Sequence, residues 1–284
     1  MFEKLVCTKF LLPLIRSKID PSQFAFVSGV SAGTTAALTL LSHRLYEFLD
    51  AKSGAVRLLT LDFSKAFDKA QHDVILRAAS NFEIPHKLLR LLSDFLFSRQ
   101  QRVFWNNCYS TWSVIPSGVP QGSVLGPLLF TLVVNDLKPL FSNSCIIKYA
   151  DDVSLLHFVR SSSDDHLQEE FDKCMRWSRC NYLPLNFSKC QVLDFCTKKC
   201  LSLTPVFFSG SPLPQVETAK ILGVFLSSDL SWNAHISYIV SKASHRVFII
   251  RNLKRSACSS ELIFRAYVAF VRSILLYTFP SFCN

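Results

Sequence analysis

Residues 148–158, "KYADDVSLLHF", restrict the fold more than any other part of the chain. Asp151 and Asp152 stand side by side between apolar runs, "CII" before and "VSLLHF" after. Burying two adjacent carboxylates within such runs is expensive, since an ionised group leaves water only at a large cost. A strand, a two-residue turn and a returning strand bury the flanks and leave the charges at the tip. The spacing predicts strands over 145–150 and 153–159 with the acidic pair between them.

A second acid occupies a similar position. "AVRLLTLDF" is a short apolar run of strand formers with Asp62 near its end, where the strand gives way to a turn. Ahead of it, Leu38, Leu41, Leu45 and Phe48 recur at helical spacing over 34–49. After it, Asp73 is placed to cap a helix over 74–79, and Pro85 opens another through Phe97. "QRVFW" and "WSVI" read as a hairpin across the polar "NNCYST". The Gly/Pro-punctuated "PSGVPQGSVLGPLLFTLVVNDL" is a stiff loop entering a helix with Leu125, Leu128, Leu129, Leu132 and Val133 on one side.

Beyond the acidic pair, "SSSDDHLQEEFDKCMRWSRC" predicts a helix with Asp164 and Asp165 in its first turn and Arg176 and Arg179 in its last. Its apolar line is Leu167, Phe171, Cys174 and Ser178. "QVLDF", "PVFFSGSPLPQV" and "KILGVFL" read as short strands, with a turn at Gly210 and Ser211. From Trp232 the helical period returns, with Ile236, Ile239, Ala243, Val247 and Ile250 on one face, and a second helix follows at "SSELIFRAYVAFVRSILLY".

The formal net charge is +10, and from Trp232 onward Lys242, Arg246, Arg251, Lys254, Arg255, Arg265 and Arg272 face the single acid Glu261. Charge so concentrated either solubilises a helix face or binds phosphates, and charge alone does not choose. The cysteines form no CxxC pair and read as reduced intracellular thiols, without separating nucleus from cytoplasm. Those between Cys174 and Cys200, with His166 nearby, offer ligands for a zinc site but read as ordinary small core residues. Glu3, Lys4 and Lys9 break any leader-like run, and no apolar run approaches the roughly 18 residues of a membrane span, so neither is expected.

If the two acid-bearing strands are neighbours in one sheet, Asp62, Asp151 and Asp152 meet. Three close carboxylates repel one another unless a cation sits among them. Such oxygen ligands favour Mg²⁺ or Mn²⁺, and a pair of these ions is the usual device for in-line displacement at phosphorus.

The order of these segments resembles the reverse transcriptases, and among them those of non-LTR (LINE-type) retrotransposons. "LLTLDFSKAFDKAQHDVIL", "SGVPQGSVLGPLLF", "YADD", "LNFSKCQVLDF" and "KILGVFLSSDLSW" resemble the five palm motifs in the family's order. The resemblance implies an α+β right-handed polymerase with an antiparallel palm sheet: a reverse transcriptase domain over 1–230 (partial helical fingers 1–54, palm 55–230) and the start of a helical thumb over 231–284. It implies two Mg²⁺ or Mn²⁺ ions on Asp62, Asp151 and Asp152, with the peptide oxygen of Phe63 as a further ligand.

By the same resemblance Phe67 lies under the nucleotide sugar, Gln121 and Gly122 lie near the templating base and incoming nucleotide, and Lys189 meets the departing pyrophosphate. Lys242, Arg246, Arg251, Lys254 and Arg255 belong to the thumb that grips nucleic acid. The implied partners are an RNA template, a DNA primer and dNTPs, with no membrane and no protein partner. Phe67 and "YADD" argue against a viral RNA-dependent RNA polymerase, and "GVPQGSVLGPLLF" favours the LINE side over group II intron enzymes. A silent, nucleic-acid-binding relative is the alternative from another class. Val27 and Val30 stand where relatives carry fingers arginine, and the chain opens at Met1 where relatives have a basic segment. The expectation is a fragment that binds metal through a complete acidic triad yet turns over poorly.

Overall fold

The computed structural model describes residues 1–26, 32–51, 54–196 and 201–277, so Val27 and Val30 lie outside the described residues. The chain opens with a helix over 2–15 whose middle, Val6–Leu11, widens into π-helical turns, and continues with the helix Thr34–Asp50. Strand β1 (Ala55–Leu61) leads through the short helix Ala66–Lys69 to helices His72–Ser80 and His86–Leu96. An interrupted hairpin follows: β2 (Gln100–Gln101), β3 (Phe104–Trp105), β4 (Cys108–Tyr109) and β5 (Ser113–Val114). Then come helix Leu125–Val134, β6 (Ser144–Tyr149), β7 (Asp152–Val159), helix Leu167–Cys180 and β8 (Gln191–Cys196). Two small hairpins, β9 (Phe207–Phe208) with β10 (Ser211–Pro212) and β11 (Thr218–Ile221) with β12 (Val224–Ser227), precede the long helix Asn233–Arg255. A last helical run over 260–276 contains a π-helical stretch, Val268–Arg272.

The central sheet is antiparallel in the order β6-β7-β1-β8. Every residue of β1 except Thr60 is buried, because the sheet is covered on both faces and needs no polar alternation. Leu59, Leu61, Val153, Leu155 and Val192 face one core, into which the helices His72–Ser80, Leu125–Val134 and Leu167–Cys180 pack. Val56, Leu58, Leu156, Leu193 and Phe195 face a second core with the helix Thr34–Asp50 and the β11–β12 hairpin.

Several details depart from the sequence expectations. The tip turn is Ala150–Asp151, with Ala150 at φ 56°, and Asp152 already pairs with Tyr149 as the first residue of β7. Asp73 lies inside the first turn of its helix, whose N-cap is Gln71. The hairpin after Phe97 turns at Asn106 and Asn107, both at positive φ, so Cys108–Tyr109 is strand rather than loop. "KILGVFL" is two strands, broken where Leu222 and Gly223 take positive φ, and the turn before Ser211 is Ser209–Gly210. The helix Leu125–Val134 is buried on every side except at Pro127, not along one stripe. Ile236 is nearly half exposed although the periodicity placed it on an inner face.

Asp164 and Asp165 fall before the helix Leu167–Cys180, whose first-turn acids are Glu169 and Glu170. Asp165 instead accepts hydrogen bonds from the Arg57 guanidinium at 2.8 and 2.9 Å, and Asp194 accepts from the same guanidinium at 3.0 Å. All three side chains are buried. Lys148 is wholly buried as well. Its ammonium donates to the peptide oxygens of Val134, Asn135 and Leu137 at 3.0–3.3 Å and lies 3.4 Å from Asp20. A cation there satisfies the orphan carbonyls at the end of the helix Leu125–Val134 and meets the negative end of its dipole.

Candidate functional site

The register decides where the acids meet. Leu61 pairs with Val153, so Asp62, the next residue, emerges beside Asp152 at the same end of the sheet. Asp62 and Asp152 line one cleft of about 310 Å³ with Lys189, Lys220, Leu222 and Gly223. Asp151, in the adjoining turn, is partly buried. Burial, then the charge of Asp62, pushes the Asp151 carboxyl above the ordinary range, with Lys189 opposing. Asp152 keeps a solvent-open face, yet the protein crowding it and the charges of Asp151 and Asp62 also push its carboxyl up. The three groups thus sense one another.

Among the described residues no three His, Cys, Asp or Glu side chains are placed so that together they could hold a metal ion. The donor set nevertheless suits a hard divalent cation: carboxylate oxygens, accessible from one cleft, whose mutual repulsion a cation would relieve.

Lys189 stands on a turn tied to the site through the backbone. The Asn186 N–H donates to the Asp62 peptide oxygen at 2.7 Å, and the Lys189 N–H closes the turn on Asn186. Its ammonium lies 3.5 Å from the Asp62 carboxylate and remains about two-thirds exposed. Phe63 is buried against Trp177, ring centroids 5.8 Å apart, and bridges to Leu185, so its side chain is structural. Phe67 is partly buried, stacked on Phe130 at 4.5 Å with its edge toward Phe26.

The glycine-punctuated loop is fastened to the turn after Asp62. Val119 N–H donates to Phe67 O, Gly118 N–H to Ala70 O, and the Ser117 hydroxyl to Asp68 O. The Gln121 amide donates to the Asp68 carboxylate at 2.7 Å. Gly122 is at φ +79° with open space around it, so its backbone conformation, rather than a close approach within this chain, selects glycine. Close approach belongs to Gly118, at φ +92°, where an added Cβ would meet the Asp68 backbone at 2.7 Å. Sequence reading passed over Gly118 and Asp68; the signal available was a second glycine in the same loop.

Lys220 is the other residue it missed. It lines the cleft, and its ammonium lies 3.4 Å from the Tyr238 hydroxyl and over the Tyr238 ring. Lys242 donates to the same hydroxyl, and the two cations hold the Tyr238 phenol below its ordinary range. Lys242, Arg246, Arg251, Lys254 and Arg255 are all exposed on the helix Asn233–Arg255. The Tyr277 hydroxyl donates to Leu222 O at 3.0 Å, which joins the last helical run to the rim of the cleft.

Residues 4–226 match the family model described as reverse transcriptase (RNA-dependent DNA polymerase). The chain belongs to this family. It is 30% identical over 87% of its length to the "Probable RNA-directed DNA polymerase from transposon X-element" of Drosophila melanogaster, and 30% identical over 84% to the "RNA-directed DNA polymerase from mobile element jockey" of Drosophila funebris. It covers 27% and 26% of those relatives, about a quarter of their length. Its kin are thus the polymerases of non-LTR retrotransposons. The fold is shared with apo telomerase from Candida tropicalis, at a TM-score of 0.59 and 12% identity over 98% of this chain and 50% of that one. That fold is the palm-like α+β arrangement of a reverse transcriptase. Among the described residues no helix is long and apolar enough to cross a membrane.

Proposed function

We propose that this reverse transcriptase domain extends a DNA primer on an RNA template, joining the primer 3′-hydroxyl to the α-phosphate of a dNTP with release of pyrophosphate. The observation that carries the reading is the meeting of Asp62 and Asp152 in one cleft with Asp151 beside them and Lys189 at 3.5 Å from Asp62. Asp62, Asp151 and Asp152, with the peptide oxygen of Phe63, would hold two Mg²⁺ or Mn²⁺ ions. Bound there, the ions would lower the pKa of the attacking hydroxyl and neutralise charge growing at phosphorus.

The protein's own groups do the rest. Lys189 meets the negative charge of pyrophosphate and delivers a proton to it. Phe67, held flat against Phe130, sets a floor beneath the sugar that a ribose 2′-hydroxyl would strike. Gln121, fixed by Asp68, and Gly122 face the base pair being formed. Lys242, Arg246, Arg251, Lys254 and Arg255 bind the backbone of the primer-template duplex without reading its sequence. In this reading 1–54 are fingers, 55–230 palm and 231–284 the start of the thumb.

The test is primer extension on poly(rA) with oligo(dT), dTTP and Mg²⁺ or Mn²⁺. Extension that Asp152→Asn abolishes supports the assignment. A chain that binds primer-template but extends nothing with either ion would make it a nucleic-acid-binding relative instead.

A further inference from the structure

Among the described residues the most exposed aromatic side chain lies outside the cleft, on the hairpin β2–β5. Trp105 is 80% exposed, and Phe104, Tyr109 and Trp112 are each between 55% and 59% exposed. Isolated exposed aromatics need no explanation, but Phe104, Tyr109 and Trp112 line up with Arg102 along the hairpin. Arg102 lies between two rings, its guanidinium carbon 4.5 Å from the centre of Trp112 and 3.9 Å from that of Tyr109. Tyr109 in turn packs on Phe104 at 4.6 Å.

The hairpin is shaped to make this row. Gln101 pairs with Ser113 and Phe104 with Tyr109, so the returning strand carries one more residue than its partner between those pairs. The Ser110 hydroxyl fills the irregularity by accepting the Val103 N–H at 2.9 Å. A bulge of this kind adds local twist and re-aims side chains, and here Trp112 and Tyr109 both come against one guanidinium. Trp105, next to the turn at Asn106 and Asn107, projects from the face of β3 opposite to Phe104 and is the most exposed of the four.

No acid occurs between Asp94 and Asp136, while Arg99 and Arg102 both lie on the hairpin. Arg102 is held by its faces, and no carboxylate among the described residues pairs with it. Its N–H edges therefore remain available to phosphate. Exposed rings for stacking, beside a cation with free donors and no competing acid, match the requirements of an unpaired nucleic-acid strand. They do not suit a duplex, whose bases are already stacked. The hairpin also runs directly into the loop 117–122 that clamps onto Asp68 and Ala70, and the Ile115 N–H closes its base on Arg99 O.

We propose that this hairpin is a stacking platform for single-stranded nucleic acid: a strand rounding the tip stacks a base on Trp105, and Arg102, on the other face, binds a phosphate further along it. Only the identity of that strand as the template rests on the polymerase reading.

The experiment is fluorescence anisotropy of labelled oligo(rU) and oligo(dT) with the full chain, without nucleotide or divalent cation, beside a blunt duplex. Trp105→Ala and Arg102→Ala should each weaken single-strand binding about tenfold and leave duplex binding nearly unchanged, while Trp105→Phe restores most of the affinity. The rU and dT arms show whether the platform prefers RNA or DNA. Unchanged affinity in both alanine variants overturns the proposal, as does an equal loss for duplex and single strand. A change in oligomeric state with unchanged oligonucleotide affinity also overturns it, making the hairpin an interface between copies of the chain. Asp152→Asn separates the two readings: it should stop extension and leave single-strand affinity intact. Hairpin-dependent binding in a chain that never extends a primer keeps the platform and removes only the template assignment.

Discussion

The two ends of strand β1 treat charge in opposite ways. Near its start, Arg57 is buried, but Asp165, Asp194 and the Thr204 peptide oxygen complete its partners. Just past its finish, Asp62 meets Asp151 and Asp152 with Lys189 as a loose, exposed counter-charge. A buried charge is tolerated when it is paired and hydrogen-bonded, and is then part of the structure. A cluster left short of counter-charge stores repulsion, which is useful only if something positive is to arrive. The same strand therefore carries a finished electrostatic unit and an unfinished one, and the unfinished one opens to the cleft.

The largest expected effect comes from cutting the unfinished unit. Asp152→Asn should lower primer extension by about 10⁴-fold, several kcal/mol of barrier. Because it relieves like-charge repulsion, it should raise the metal-free Tm at neutral pH by about 1–2 °C. Mg²⁺ should raise Tm in the parent chain and much less in the variant. A variant less stable than its parent in EDTA would mean that Asp152 already has the counter-charge it needs.

Cutting the finished unit should do the reverse. Arg57→Ala leaves Asp165 and Asp194 buried without their cation and should cost about 3–5 kcal/mol of stability, read by urea unfolding. Any loss of extension should follow the loss of folded protein, with activity per folded molecule near that of the parent. Reduced activity in fully folded protein would show that the two ends are coupled along β1.

The acid-bearing turns and the helical periods are local features, and they were legible in the sequence. A turn between apolar runs needs no distant partner to be recognised, so Asp62 and the Asp151–Asp152 pair were found, with the turn shifted by one residue. Arg57 and Lys148 were not. Each looks like a stray polar residue in an apolar run, and its meaning lies in partners up to 147 residues away that only the sheet register and helix packing bring near. Asp165 was misread for the same reason, since helix-dipole logic accounts for an acid near a helix start without calling on Arg57. Lys220 was hidden because "KILGVFL" reads as one strand until Leu222 and Gly223 reverse it.

Asp165 and the Asp151–Asp152 pair pull the pH profile of stability in opposite directions. Asp151 and Asp152 titrate above the ordinary carboxylate range, so the metal-free folded state holds protons more tightly than the unfolded chain. Their contribution falls as pH rises from the ordinary range through the raised values. Burial would raise Asp165 too, but hydrogen bonds from Arg57 and Thr204 outweigh it and hold the carboxyl low. Its contribution is present above the ordinary value and is lost as pH falls through the lowered one. In EDTA, Asp152→Asn should flatten the decline in Tm on raising pH from about 4 toward neutrality, and leave the acid-side loss in place. A decline in Tm that is equally steep in parent and variant would remove the electrostatic coupling from the account.

The smallest effect sharpens the comparison most, because its sign is unusual. Lys189 is the counter-charge the unfinished unit already has, and it opposes the upward shift of both Asp151 and Asp152. Lys189→Ala removes that opposition, so the carboxylates repel one another more and a divalent cation gains more by binding. Metal affinity, measured by the Mn²⁺ dependence of Tm or by titration calorimetry, should therefore tighten. Because the ammonium is about two-thirds exposed and screened by solvent, the gain should be no more than about threefold. Extension should nevertheless fall by about tenfold, since on the proposed function the group that meets pyrophosphate is gone. Tighter metal with slower turnover separates a lysine that serves the departing phosphate from one that merely props up the site, for which both quantities would fall together. It also separates Lys189 from Arg57, whose removal weakens the fold and tightens nothing.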